Sequence, residues 1–138
     1  MSNHSLRGHC LCKAIQYTVD GTPLWCAHCH CAECRRHTGS AVATFVGVEK
    51  ALLTLVRGEL GQIESSPGVY RSFCATCGTP MAYERDELPD EIHLYLGTLE
   101  HPEDIPPTLE VYCGERLPWL KLKVDGQSFD SLPEQDVQ

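Results

Sequence analysis

The sequence predicts a mainly β protein whose short strands are cross-linked by metal, and three observations lead to this prediction. Alternating apolar and polar residues recur in short segments, as where Ile15, Tyr17 and Val19 share one face of a strand. Glycine and proline interrupt the chain so often that we expect no helix longer than a turn or two. Nine cysteines occur mostly in closely spaced groups, which is typical of metal-binding loops.

The predicted strands follow one another with few residues between them. Each is an alternating or β-branched apolar run, and turn residues separate the runs, notably at 20–23 and 65–68. Pro80 favours an edge or entry position in its strand because it has no N–H to donate. In chain order the predicted strands are 15–20, 40–48, 52–56, 62–64, 69–73, 79–84, 92–96 and 109–113.

Two acidic connections and a polar tail complete the predicted organisation. Residues 87–91 form an acidic loop, and 100–107 form a proline-broken connection with room for one helical turn. The tail from 125 to 138 is polar, and we expect it to be loose. The whole chain, 1–138, is predicted to be one zinc-binding domain with its core within about 8–120.

Composition and charge exclude several classes of function. A chain of 138 residues with 42% apolar content suits one globular domain. Its formal net charge of −8 repels phosphate backbones and anionic lipids, so we expect no nucleic-acid and no membrane partner. No apolar segment is long enough to cross a membrane, and residues 1–7 lack the apolar block of a signal peptide. We therefore expect a cytoplasmic protein, in which cysteines are metal ligands or reactive thiols rather than disulfides.

Four cysteines predict a closed structural zinc site. Cys10 and Cys12 form one C-x-C half, and Cys74 and Cys77 form a C-x-x-C half followed by Gly78. Two such halves supply four thiolates, the ligand set of a structural zinc. The glycine accepts backbone angles that let amides point at the sulfurs. The alternative is four small buried residues with no metal, but that alternative does not explain the paired spacing beside glycines.

A second group, Cys29, Cys31 and Cys34, predicts a zinc with an open coordination position. A tight run provides three sulfurs readily and a fourth with difficulty, and an open position is what a catalytic zinc needs. Alternatives remain: a structural zinc closed by Cys26 or a histidine, or a redox dithiol formed by Cys26 and Cys29. The neighbouring histidines can be ligands, outer donors or ordinary surface residues, and they are His28, His30 and His37.

Two arginines follow the second cysteine group directly. Arg35 and Arg36 either balance the thiolate charge or hold a carboxylate of the substrate through forked hydrogen bonds. We take them as candidate substrate-binding residues. Cys113 has no cysteine neighbour in sequence, and we expect it to belong to the core.

Four ordered motifs carry a resemblance to a known family. They are Gly8-His-Cys-Leu-Cys12, the loop from Cys29 to Gly39, Phe73-Cys-Ala-Thr-Cys-Gly-Thr-Pro80 and Arg116-Leu-Pro-Trp119. In these motifs the chain resembles the glutathione-dependent formaldehyde-activating enzymes, a family that includes the domain of centromere protein V. The resemblance implies a β-sandwich-like fold of short antiparallel strands with two zinc ions, one structural and one catalytic, in the two cysteine groups.

The resemblance also implies an activity, a carbon–sulfur lyase reaction in which glutathione condenses with formaldehyde to S-(hydroxymethyl)glutathione. The residues are compatible with it, because a zinc with three thiolates and a free position binds a substrate thiol as thiolate. Such a thiolate can add to an aldehyde, formaldehyde or another. The competing hypothesis is a non-catalytic module: a glutathione or zinc carrier, or a zinc-stabilised domain that binds a partner.

Overall fold

The computed structural model describes residues 5–133, and two β-sheets dominate it. A three-stranded sheet has the order β1-β2-β5, and an eight-stranded sheet has the order β11-β10-β3-β4-β9-β8-β7-β6. The strands are β1 (Ser5–His9), β2 (Gln16–Asp20), β3 (Trp25–Cys29), β4 (Ala43–Glu49), β5 (Leu53–Arg57), β6 (Leu60–Ser66), β7 (Val69–Cys74), β8 (Pro80–Arg85), β9 (Glu91–Tyr95), β10 (Leu109–Val111) and β11 (Gln127–Ser128).

Helical structure is short, as the sequence predicts. The α-helix α1 (Ala32–Thr38) has seven residues and ends at Gly39, which takes the left-handed conformation that suits glycine (φ 72°). The remaining helical segments are single 3₁₀ turns. They are Lys50–Leu52, Leu96–Thr98, Pro102–Asp104 and Cys113–Glu115.

The predicted antiparallel pairing holds for most strands but not for β10. Every pair from β3 through β9 to β6 is antiparallel, and so are both pairs of the smaller sheet. Strand β10 instead pairs in parallel with β3 on one side and with β11 on the other. The long connection 96–108 makes the parallel pairing of β10 possible, because a parallel strand must return to the same end of the sheet.

Eight predicted strands are present with boundaries shifted by one to three residues, and three strands were missed. The first, β1, contains only one apolar residue, Leu6, so its pattern is weak. Strand β3 contains Cys26 and Cys29, and their spacing favours a metal-binding loop over a strand. Strand β11 corrects the prediction of a loose tail, since Phe129 and Leu132 pack against a hydrophobic cluster. Residues 134–138 of that tail lie outside the described residues.

The two faces of the larger sheet bury different clusters. One face packs against the smaller sheet, because Val19 of β2 belongs to the same cluster as Val46 and Leu94 of the larger sheet. This is the sandwich-like packing that the resemblance implies. The opposite face carries a second cluster built around Phe45 and Tyr95. The second cluster includes Cys29 and Cys34, so the fold places these two cysteines on the face of the larger sheet turned away from the sandwich interior.

The structure also tests the predictions made for Pro80 and for the strand at 109–113. Pro80 is the first residue of β8, the entry position at which a strand tolerates proline. The predicted strand 109–113 ends at Val111 because Tyr112 takes a left-handed conformation (φ 56°) and starts a 3₁₀ turn. Among the described residues, no helix is long and apolar enough to cross a membrane.

Candidate metal centres and the adjoining cleft

The four-cysteine set converges in space although its halves are far apart in sequence. The ligand atoms of Cys10, Cys12, Cys74 and Cys77 all lie within 4.8 Å of one another. The Cys10–Cys12 and Cys12–Cys74 sulfur separations are 3.6 and 3.8 Å. The edge of a ZnS₄ tetrahedron with Zn–S bonds of about 2.3 Å is about 3.8 Å. The set therefore fits a tetrahedral metal ion, and it is too widely spaced for a disulfide.

Each half of this set is a tight turn that points amides at sulfur. The amide of Ile15 donates to the sulfur of Cys10 at 3.3 Å, and the amide of Cys77 donates to that of Cys74 at 3.4 Å. Such donors favour the thiolate form that a metal binds. Gly78 takes φ 82°, as the sequence predicts for the residue after the C-x-x-C half.

The exposure of this set argues against four small core residues without a metal. Cys10 and Cys74 are buried, but Cys12 is exposed and Cys77 is half-buried. Cys10 follows β1 of the smaller sheet and Cys74 ends β7 of the larger one. A metal ion held here joins the two sheets, which is the work of a structural site.

The second cysteine group lies where β3 meets α1. Cys29 ends the strand, Cys31 is the N-cap of the helix, and Cys34 is the helix residue that is buried. The sulfurs of Cys29 and Cys34 are 3.8 Å apart, and Cys31 interacts with both. This corrects the expectation of a single loop, because strand and helix geometry positions all three sulfurs.

The second group is less compact than the first. Its three sulfurs are not among the sets whose ligand atoms all lie within 4.8 Å in the described part of the chain. Its 3.8 Å Cys29–Cys34 edge still matches a zinc tetrahedron. The donor chemistry thus fits a soft dication, although the Cys31 sulfur would have to move to complete three corners of a tetrahedron.

A buried arginine that sequence analysis did not single out contacts this group. Arg71 of β7 is 2% exposed and donates from Nη1 to the sulfur of Cys34 at 3.5 Å. Its guanidinium lies 5.0 Å from the centroid of the Tyr83 ring and 3.8 Å from the carboxylate of Glu33. In the sequence, the only sign of this contact is that Arg71 is a charged residue in the middle of a predicted strand. Arg71 gives the Cys34 thiolate a positive neighbour in a low-dielectric setting.

Cys26 cannot act as a fourth ligand or as the redox partner of Cys29. It lies on the opposite face of β3, in the cluster between the two sheets, whereas Cys29 belongs to the other cluster. Its thiol donates to the carbonyl of Ile105 at 3.6 Å, and burial raises the pKa of Cys26 to about 11. Cys26 is therefore a core thiol, and the two alternatives built on it are wrong.

Two of the three histidines near the cysteines have hydrogen-bond partners of their own. His28 contacts the hydroxyl of Thr44 at 2.8 Å, and His30, fully buried, contacts the carboxylate of Glu110 at 3.3 Å. The ring of His37 lies 6.3 Å from that of Tyr95. His30 and His28 therefore support the backbone around the cysteines through neighbouring strands.

Cys113 is not a core residue, contrary to expectation. It is half-buried and its sulfur lies 3.9 Å from the carboxylate of Glu110. His30, Glu110 and Cys113 form another group with ligand atoms within 4.8 Å. Glu110 already accepts from Ser128 at 3.1 Å and lies 3.8 Å from Arg116. These contacts satisfy the buried carboxylate without a metal.

The second cysteine group opens into a large cleft of about 1030 Å³. The cleft extends from the three cysteines and α1 over the outer face of the larger sheet to β7 and β8. The lining includes both apolar rings and charged side chains. Among these side chains are Trp25, Phe45, Arg71, Tyr83, Arg85 and His93.

Arg35 and Arg36 lie beside a different groove. That groove measures about 460 Å³ and also includes Trp119. Arg35 donates from Nη1 to the carbonyls of His30 and Glu115 at 2.6 and 2.8 Å, whereas Arg36 is exposed. Neither arginine lines the cleft that contains the cysteines. The two hydrogen bonds of Arg35 instead fix the backbone of the cysteine segment.

Comparisons with known proteins agree with this architecture. No curated protein matches the sequence. The chain is similar to the crystal structure of a protein from Rhodobacter sphaeroides, with 28% identity, a TM-score of 0.60, and coverage of 74% of this chain and 99% of that one. The sequence model of the glutathione-dependent formaldehyde-activating enzymes matches residues 5–115, which include both cysteine groups. The chain therefore belongs to the glutathione-dependent formaldehyde-activating enzyme family.

Proposed function

We propose that this protein is a zinc-dependent carbon–sulfur lyase acting on a glutathione adduct, in the manner of S-(hydroxymethyl)glutathione synthase. The observation that carries the proposal is the contrast between the two cysteine groups. Four sulfurs close on one another between the sheets, whereas Cys29, Cys31 and Cys34 line a cleft large enough for a tripeptide. We assign one structural zinc to the first group and one catalytic zinc to the second, two Zn²⁺ per chain.

The reaction is a balanced addition with no change of oxidation state. A zinc held by the three cysteines would keep the substrate thiol deprotonated at neutral pH. The thiol sulfur forms a bond to the carbonyl carbon of formaldehyde, the carbonyl π pair moves to oxygen, and that oxygen takes up a proton. Cys29 and Cys34 contribute orientation, because strand and helix fix their sulfurs 3.8 Å apart. Arg71 offsets the thiolate charge at Cys34.

The charged groups of glutathione need partners at the rim of the cleft. Glutathione is a net anion and the protein carries −8, so local cations must hold the ligand. Arg85 lines the cleft with its side chain 14% exposed, 3.6 Å from Glu87. We propose Arg85 as one carboxylate partner. Arg35 and Arg36 remain hypotheses, and to act they would have to hold a part of the ligand that extends into the neighbouring groove.

The setting of this reaction is also a proposal. None of the nine cysteines is paired in a disulfide, which is the state that a reducing compartment maintains. We therefore place the enzyme in the cytoplasm. Its acidic charge favours small-molecule partners over nucleic acids and anionic membranes.

Exchange NMR on formaldehyde and glutathione provides the test. The zinc-loaded protein should accelerate interconversion of free glutathione and its hydroxymethyl adduct above the spontaneous rate. Cys34→Ser should abolish the acceleration, and Cys113→Ser, outside the cleft lining, serves as the matched control. Two bound zinc ions without acceleration would refute the reaction with formaldehyde. Glutathione binding without turnover in that case would support the carrier hypothesis instead.

A further inference from the structure

The floor of the cleft is aromatic, and formaldehyde has no group for such a surface to recognise. We propose, on the basis of the proposed lyase function, that the aldehyde handled at this site carries an aryl or arylalkyl group rather than a single carbon. The preferred adduct would then be a glutathione hemithioacetal with an aromatic substituent. The strand register, the ring contacts and the size of the cleft each support this inference.

Strand register brings the rings together on one face of the larger sheet. Trp25 of β3 pairs with Gly47 of β4, Gly47 pairs with His93 of β9, and His93 pairs with Tyr83 of β8. In the next row of the same face, Phe45 pairs with Ala27 and Tyr95. Side chains at paired positions point to the same face, so the rings form a continuous surface across four strands.

Ring contacts show that this surface is packed. Trp25 meets His93 edge-on at 4.5 Å between centroids, and Tyr83 stacks on His93 at 5.5 Å. Phe45 lies 5.7 Å from Tyr83 and 4.5 Å from Tyr95. These are the separations at which aromatic pairs attract one another. Trp25 and Tyr83 are only half-buried, so their remaining ring surface faces the cleft.

Gly47 creates the space in which the Trp25 ring lies. A Cβ at position 47 would come within 2.2 Å of the indole. The indole therefore lies across the sheet over Gly47 instead of projecting away from it. This arrangement makes Trp25 part of the floor.

The aromatic floor begins next to the cysteines. Ala27 precedes Cys29 by two residues on the same face of β3, a distance of about 7 Å along the strand. Phe45 is directly opposite Ala27, and both line the cleft with Cys29. A substituent on a carbon bonded to the substrate sulfur would therefore reach Phe45 and Tyr83 within a few bond lengths. The volume of about 1030 Å³ leaves room for such a group beside glutathione.

The proposed chemistry needs no additional reactant. The thiol adds to the carbonyl carbon of the arylaldehyde, one carbon–sulfur bond forms, and the thiol proton ends on the former carbonyl oxygen. The reverse reaction returns the aldehyde and the thiol. Apolar contacts with the floor would stabilise the adduct relative to free glutathione.

Fluorescence titration with stable thioether analogues provides the test. The chain has two tryptophans, Trp25 in the floor and Trp119, which is 69% exposed beside the other groove. Trp119→Phe leaves Trp25 as the reporter. We expect S-benzylglutathione to quench this zinc-loaded protein and to bind about tenfold or more tightly than S-methylglutathione. Tyr83→Ala should remove most of that preference, whereas Tyr70→Ala, outside the cleft lining, should leave it unchanged.

The outcomes separate the aromatic specificity from the proposed lyase function. Equal binding of the two analogues overturns the aromatic specificity and leaves the lyase function intact. A benzyl preference that survives Tyr83→Ala also overturns it, because the preference then arises elsewhere. A benzyl preference without catalysed formaldehyde exchange supports this inference and removes formaldehyde as the substrate. If neither analogue binds, the inference fails, whereas the lyase function is tested separately by the exchange NMR, because a thioether has no thiol that a zinc could hold as thiolate.

Discussion

Arg71 donates a hydrogen bond to the sulfur of Cys34 at 3.5 Å. The same guanidinium lies 5.0 Å from the centroid of the Tyr83 ring, so one side chain links the cysteine group to the aromatic floor of the cleft. Because Arg71 is almost completely buried, its charge is weakly screened at the Cys34 sulfur.

Arg71→Lys should weaken metal binding at the second cysteine group. Lysine keeps the charge but loses the planar fork that reaches the Cys34 sulfur and stacks on Tyr83. We expect zinc affinity at this group to fall about 10- to 100-fold, measured by competition with a chromophoric chelator. Arg57→Lys, an exposed arginine on β5, is the matched control. Unchanged zinc affinity in a folded Arg71→Lys protein would contradict this role.

The two cysteine groups should differ in lability. Cys74 is 1% exposed and its group connects the two sheets, so Cys74→Ser should unfold or aggregate the protein. Cys34→Ser should fold with one zinc fewer. Mild chelation should likewise remove one ion while circular dichroism retains the β signal. Loss of both ions together with the fold would mean that the second site is structural as well.

Gly47→Ala should displace Trp25 from the floor. The added methyl meets the indole at 2.2 Å, so either the ring or strand β4 must move. Overpacking of this kind costs about 1–3 kcal/mol of unfolding free energy. In the Trp119→Phe background, the emission of Trp25 should shift. Gly97→Ala is the control, because nothing lies within 4 Å of its added carbon; an identical spectrum in both variants would exclude the displacement.

The sequence predicted the elements whose determinants are local. Alternating and β-branched apolar runs located eight strands, and the cysteine spacing located both halves of the four-sulfur set, because each half is one tight turn. Strand β3 was not predicted because cysteines and histidines obscured its alternation. The parallel pairing of β10 with β3 was not predictable from local patterns. It depends on the path of the connection 96–108, which joins strands that are distant in sequence.

The candidate site was predictable only in part for the same reason. The three cysteines of the second group were visible as a motif, but the Arg71–Cys34 contact joins residues 37 positions apart. Proximity in sequence made Arg35 and Arg36 the natural partners of the cysteines. In the structure both arginines instead line a neighbouring groove, because α1 packs its Cys34 side against the larger sheet.

Alkaline pH should destabilise the protein through Cys26. Burial raises the pKa of this thiol from 9.0 to about 11, so the folded state favours its protonated form. The resulting stabilisation is complete below pH 9 and is lost as the pH rises from about 9 to 11. Urea unfolding of the parent and of Cys26→Ala should be compared at pH 8 and at pH 10.5. The difference between their free energies of unfolding should shrink by on the order of 2 kcal/mol between the two pH values. A constant difference, with equal zinc content, would contradict the shift.

Truncation of the arginines should separate ligand binding from backbone support. Arg36 is exposed beside the second groove, so Arg36→Ala should bind glutathione within about twofold of the parent. Arg85→Ala should weaken binding about tenfold, as expected for a charge-assisted hydrogen bond to a carboxylate. Arg35→Ala removes donors to the carbonyls of His30 and Glu115, so it should lower zinc affinity at the second cysteine group. Any loss of glutathione binding in this variant should follow from the loss of zinc.

Calorimetric titration of glutathione into zinc-loaded variants provides the measurement, with zinc content determined on the same samples. Strong loss of binding in Arg36→Ala at full zinc occupancy would support the hypothesis that the arginines after Cys34 hold the substrate. It would also require the ligand to extend around α1, since Arg36 lies outside the lining of the cysteine cleft. The opposite result is that Arg36→Ala retains binding and Arg85→Ala loses it. That result would place a glutathione carboxylate at the rim formed by β8, on the same side of the cleft as Tyr83.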